Sequence, residues 1–142
     1  MLSLSDYPVI YDQSVAWGDM DAFGHVNNVM YYRYIESARI FYMDALNIFE
    51  QEVYTVVASN QCKYISPVFY PDRLKIGVRV EEIRNSAFRM SYLLWSEMQQ
   101  KNVAWAEAVI VCVNKETMLK TEIPEIIRYR ISEIELKVKH FI

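Results

Sequence analysis

From Asn28 to Asn47 the chain holds no Gly or Pro, and Arg33, Ser37, Asp44 and Asn47 recur at helical spacing. Between them stand Val29, Met30, Tyr31, Tyr32, Tyr34, Ile35, Ala38, Ile40, Phe41, Tyr42, Met43, Ala45 and Leu46. So apolar a run predicts a long helix enclosed on most sides, the core of the domain. Elsewhere the period is two. Val9 to Trp17 reads as a first strand running into Gly18, and Tyr54 to Ile65 as a second, closed by Ser66-Pro67. From Asp72 to Ile83, Leu74, Ile76, Val78 and Val80 alternate with Arg73, Lys75, Arg79 and Glu81, a strand with one wet face. Arg84-Asn85-Ser86 predicts a hairpin turn into a strand carrying Phe88, Met90, Tyr92 and Leu94 on one side. A further turn near Gln100-Lys101-Asn102 leads to Val103 to Val113, apolar on both faces with one face of small residues, as suits a central strand under a helix. Pro124 opens a peripheral helix that covers the first half of the tail and frays toward Ile142.

A strand, a buried helix and a run of antiparallel strands predict an α+β domain spanning residues 1–142. One sheet on one helix leaves edges and a face to be covered, for which a homodimer is the natural remedy. Composition points the same way: 53% of residues are hydrophobic and 11 are Tyr, a surplus that suits burial against a partner as well as an ordinary monomer. A net charge of −3 argues against an electrostatic grip on nucleic acid. Cys62 and Cys112 lie in strand-like runs with no metal or redox spacing and read as two buried reduced thiols. The N-terminus lacks the pattern of a signal peptide, and the most apolar stretch, Val103 to Val113, carries Glu107 and falls well short of a membrane span. These features predict a cytoplasmic location with no membrane span.

The chemistry concentrates between Gly18 and Arg39. Gly18 and Gly24, two of the three glycines, stand there with Asp19, Asp21, His25 and the pair Asn27-Asn28, directly before the helix. Glycines mark a shaped loop, and the helix start supplies free N–H groups and the positive end of its dipole. A carboxylate at such a place suits hydrolysis. From the residues alone, Asp21 reads either as a turn aspartate or as a catalytic group, His25 as a group that orients the aspartate, its water or a carbonyl, or as a tie within the loop, and Asn27 as a helix cap or a substrate contact. Asp19 reads as structural, and Glu36 with Arg39, three apart, as an ion pair on the helix in preference to a functional pair. Asp19, Asp21 and His25 are suitable metal donors, but a fourth ligand is missing and no metal is predicted. There is no G-x-S-x-G elbow and no histidine base placed for either cysteine.

The run Trp17-Gly18-Asp19-Met20-Asp21-Ala22-Phe23-Gly24-His25-Val26-Asn27-Asn28, with Tyr32, Glu36, Ala38 and Arg39, resembles the start of the 4-hydroxybenzoyl-CoA thioesterase-like family. The likeness continues through Val56-Val57-Ala58, Tyr64-Ile65-Ser66-Pro67-Val68, Tyr70 to Leu74 and Ala106-Glu107-Ala108 to Pro124. The resemblance implies a hotdog fold, an antiparallel sheet wrapped around a long central helix, in homodimers that often form homotetramers. It implies an acyl-CoA thioesterase needing no cofactor beyond the coenzyme A of its substrate. Asp21 takes the place of the family's catalytic aspartate and Asn28 that of the residue whose N–H polarises the thioester carbonyl. Ala108 departs from the glycine of many relatives, which bears on packing more than on chemistry.

Asp21 would then attack the thioester directly or serve as general base toward water, with Asn28 N–H holding the oxyanion, a contribution of about 10²- to 10³-fold. Coenzyme A phosphates call for cations, with Arg84 and Arg89, or Arg73 and Lys75, as candidates against the alternative of a solvated strand face. Tyr31 or Tyr32, with Ser59 or Gln61 of a facing subunit, are candidate walls of an acyl pocket. Two other readings stay open: hydrolysis of thioesters on acyl carrier protein, and a non-catalytic acyl-CoA-binding protein of the same fold.

Overall fold

A computed structural model describes residues 2–142. Five antiparallel strands, β1 (Val9–Ser14), β2 (Val53–Tyr64), β3 (Arg73–Ile83), β4 (Ala87–Ser96) and β5 (Lys101–Asn114), form one sheet in the order β1-β3-β4-β5-β2. Helix α1 (Asn28–Ala45) lies on one face, and α2 (Glu125–Glu135) follows the last strand. The inner face is the alternation read from the sequence: Leu74, Ile76, Val78 and Val80 of β3 and Phe88, Met90, Tyr92 and Leu94 of β4 are fully buried. Ala104, Ala106, Ala108, Ile110 and Cys112 of β5 complete it, in the interior strand where small side chains let neighbours close over the sheet.

Helix α1 has 18 residues and buries one face, through Tyr31, Tyr34, Ile35, Ala38, Arg39, Tyr42 and Met43. Its other face is open, with Val29, Ile40 and Phe41 exposed, so the single chain does not enclose the helix on most sides. The same geometry overturns the Glu36–Arg39 ion pair. The buried stripe carries Arg39 inward, where it is 5% exposed and its Nη1 donates to Tyr92 Oη at 3.1 Å, while Glu36 points to solvent. The first strand also ends sooner than its composition suggested. After Ser14 the chain runs through Val15 and Ala16 into a 3-10 turn at Trp17–Asp19, where Gly18 breaks the extended run.

The outer face of the sheet is part covered by the N-terminal residues. Tyr7 is buried on Gly77, where a Cβ would come within 2.6 Å of the tyrosine ring, so the third glycine is there for close approach. At the far edge β2 has no partner on its outer side, and nine of its twelve residues are exposed. Cys62, on this strand, is therefore half-buried and not the buried thiol its apolar neighbours suggested, whereas Cys112 is buried.

Burial raises both thiols from an ordinary 9.0 to about 11. Between those values the unfolded chain loses thiol protons that the folded chain keeps, so stability falls as pH rises. The contribution is intact below about pH 9 and is lost through about pH 11. Thermal melts across that interval should show a falling Tm, and a Cys62→Ser, Cys112→Ala variant should show a shallower decline.

Candidate active site

The loop between β1 and α1 is a closed excursion whose base is Asp19 and Asn27. Asn27 N–H donates to the Asp19 carbonyl at 2.9 Å, Met20 bridges Val26, and Asp21 N–H donates to the His25 carbonyl at 2.8 Å. The tip is a turn in which Gly24 N–H reaches the Asp21 carbonyl, with Gly24 at φ +82°, the left-handed region that glycine enters at no steric cost. The Asp21 side chain takes part, its Oδ1 accepting Phe23 N–H at 2.9 Å. One carboxylate oxygen is thus committed to the turn, which fixes where the other points.

At the end of the loop Asn27 caps the helix, its Oδ1 accepting Val29 N–H at 3.0 Å. Asn28 opens the helix, and among the described residues its N–H has no acceptor, since the first helical N–H groups have no intrahelical partner. That donor borders an open cleft of about 230 Å³ lined by His25, Val26, Asn28, Tyr31, Tyr64, Ile65, Ser66 and Pro67. Val26 N–H, bonded to the Val68 carbonyl at 2.8 Å, ties the loop to the segment that leaves β2. The His25 ring stands edge-on to Phe69 with centroids 5.2 Å apart, and its imidazole makes no hydrogen bond among the described residues.

Tyr64, which the sequence places within the Tyr54 to Ile65 strand and the stretch of resemblance without a role in the site, closes the cleft. Its hydroxyl donates to the Asn28 carbonyl at 3.1 Å and its ring meets Tyr31 edge to face at 4.8 Å. Burial, then the neighbouring Cys62, pushes its phenol up to about 12, and burial raises Tyr31 as well. Both phenols are therefore donors at neutral pH and not bases. A second unforeseen contact lies behind the loop, where Tyr34 Oη donates to Asp19 Oδ2 at 2.5 Å.

Of the residues singled out from the sequence, His25 and Asn28 line one cleft, with Asp21 and Asn27 on the loop that forms its rim. Tyr32 is half-buried on α1 beside Tyr64. Within one chain the other four stand apart. Gln61, Arg84 and Arg89 belong to a network on the opposite face of the sheet: Gln61 Nε2 and Arg89 Nη1 reach Glu107 at 3.2 and 2.9 Å, and Arg84 pairs with Glu82 at 3.1 Å. The Arg84 guanidinium holds the Glu82 carboxyl below its ordinary range. Ser59 is exposed in the middle of β2, beside Gln61. Asp19 and Asp21 turn their carboxylates to different partners, and among the described residues no group of three or more His, Cys, Asp or Glu converges on a metal position. No helix of the described residues is long and apolar enough to cross a membrane.

Residues 15–131 match the family model of the thioesterase-like superfamily. The chain is 34% identical to YsmA of Bacillus subtilis over 106 residues, 73% of this chain and 71% of that one. Among solved structures, the PA5185 protein of Pseudomonas aeruginosa superposes with a TM-score of 0.82 at 31% identity, covering 91% of this chain and 92% of its own. A Thermus thermophilus thioesterase, solved with coenzyme A and Zn, superposes at 0.81 with 32% identity over 92% and 96% of the two chains. The five-stranded antiparallel sheet with its helices is thus the hotdog arrangement of thioesterases.

Proposed function

The chain belongs to the thioesterase-like superfamily, and from that premise we propose that it hydrolyses acyl-CoA to a free acid and coenzyme A, in the manner of the 4-hydroxybenzoyl-CoA thioesterase-like branch. The observation that carries the reading is the unpaired Asn28 N–H at a helix N-terminus, on the rim of a cleft bounded by the Asp21 loop. A thioester carbonyl seated there has its oxygen on Asn28 N–H, where the helix dipole favours negative charge. Asp21, through the oxygen not used by Phe23, either takes a proton from the attacking water or attacks the carbonyl carbon itself. In both routes the C–S bond breaks and the coenzyme A thiolate leaves and is protonated by solvent; in the second, water then hydrolyses a mixed anhydride. His25 sits at the cleft with a free imidazole, placed to orient water or the carbonyl. The coenzyme A bound to the Thermus thermophilus relative supports this choice of carrier.

The functional unit in this reading is a dimer. Strand β2 is a twelve-residue edge with Lys63 as its single charge, and such an edge invites pairing. Antiparallel pairing of two copies about a two-fold axis near Ser59 and Gln61 sets the Val53 end of one strand beside the Tyr64 end of the other. The apolar cleft formed by Ile48, Phe49, Val53, Val56 and Met118 then adjoins the partner's catalytic loop as a place for the acyl chain. The same pairing covers the open face of α1, which becomes the central helix of the assembly. Further pairing of dimers gives the tetramer. Arg84 and Arg89 can meet coenzyme A phosphates by exchanging Glu82 and Glu107 for them.

The carrier is tested by parallel kinetics on one acyl group attached to coenzyme A and to acyl carrier protein. A kcat/KM at least tenfold higher with coenzyme A is the expected result. The reverse preference makes the protein a carrier-protein thioesterase, and binding without thiol release from either makes it a non-catalytic acyl-CoA-binding protein.

A further inference from the structure

Resting on the thioesterase reading, we propose that Asp19 and Tyr34 are a positioning pair that sets the distance between the Asp21 carboxylate and the Asn28 oxyanion donor. Asp19 is joined to three separate parts of the chain. Its Oδ2 accepts the Tyr34 hydroxyl at 2.5 Å and Ala16 N–H at 3.1 Å, and its carbonyl accepts Asn27 N–H at 2.9 Å. Tyr34 projects from the second turn of α1 and is 2% exposed, so its ring is fixed by the core and its hydroxyl is a rigid post. Burial, then the Asp19 hydrogen bond and charge, raises its pKa and keeps it a donor.

The consequence is geometric. Asp21 is two residues after Asp19, and Asn28 is one residue after Asn27. Both catalytic elements therefore hang from the Asp19–Asn27 bond that closes the loop. Without the post, Asp19 keeps only Ala16 N–H on its side chain, and the loop base is tied to α1 through backbone alone. Misplacement of reacting groups by about 1 Å costs on the order of 10²-fold in rate, so a bond far from the thioester can govern turnover. Neither residue lines the cleft beside Asn28 or the apolar cleft assigned to the acyl chain.

Tyr34→Phe keeps the ring and removes the post. In steady-state thiol release, kcat should fall roughly ten- to hundredfold with KM within about twofold. Amide hydrogen exchange at Asn27 should accelerate in the unliganded variant, although far-UV circular dichroism stays that of wild type. Asp19→Ala, which removes the acceptor, should lose comparable kcat, and the double variant should lose no more than the worse single one, because the pair acts as a unit. Wild-type kcat with wild-type exchange at Asn27 overturns the proposal, as does a double variant whose losses multiply. If the wild type releases no thiol from any thioester, the thioesterase reading fails separately; exchange at Asn27 in Tyr34→Phe then decides the pair, acceleration supporting it and unchanged exchange overturning it.

Discussion

Asp21→Asn should lower kcat for acyl-CoA hydrolysis by about 10²- to 10⁴-fold while leaving KM and Tm close to wild type. The substitution separates the two roles the side chain plays. Asn keeps a carbonyl oxygen that can accept Phe23 N–H, the 2.9 Å bond that shapes the turn, so the loop and the Asn28 donor stay in place. What disappears is the negative oxygen that our proposal uses as base or nucleophile. Because Asn28 N–H and the helix dipole survive, the variant should retain a residual rate above that in buffer. Stopped assays of thiol release, with circular dichroism as the control, read both quantities. A variant with full turnover would remove Asp21 from the chemistry, and one that fails to fold would make its turn role the dominant one.

A comparably large effect, on stability, is expected at Glu135. This carboxylate is fully buried where α2 meets the core, and its Oε2 accepts the Tyr42 hydroxyl at 2.6 Å and Val80 N–H at 3.1 Å. Oε1 lies 2.8 Å from His140 Nδ1. Val80 stands in the part of β3 that runs past the end of β1 at Val78, so Glu135 supplies an acceptor that the sheet does not. Glu135→Leu leaves a buried hydroxyl and a buried amide without partners, at roughly 1–3 kcal/mol each. For a chain of this size a loss of that order lowers Tm by about 6–15 °C. Glu135→Gln keeps an acceptor and should cost much less. Adding Tyr42→Phe to Glu135→Leu should recover part of the loss, since one orphaned donor is then removed. Additive losses would show that the two groups do not depend on each other.

The contrast between Asp21 and Glu135 shows which parts of this protein are legible in its sequence. The loop is local: Gly24, the Asp21 side chain on Phe23 and the Asn27 cap act within a few residues, and residue type with spacing was enough to find them. The inner faces of β3, β4 and β5 follow from alternation because each strand has one buried side. Contacts between distant positions leave no such trace. Tyr64 reaches Asn28 across 36 residues and Tyr42 reaches Glu135 across 93, and neither pair carries a spacing signal. Arg39 departs from its local pattern for a related reason. The Glu36–Arg39 spacing permits an ion pair, but the helix faces the sheet along a stripe that includes Arg39, and the Tyr92 hydroxyl there was invisible to local pattern. The apolar residues on the open face of α1, Val29, Ile40 and Phe41, are exposed in the single chain, and the dimer in our proposal covers them.

Thiol release from a panel of acyl-CoAs, short to long and aromatic, by the purified wild-type protein tests the central claim most directly. Saturable release of coenzyme A from at least one member of the panel, matched mole for mole by free acid, is the predicted result. Saturable binding with no release from any member would contradict it and leave a binding protein on a thioesterase fold.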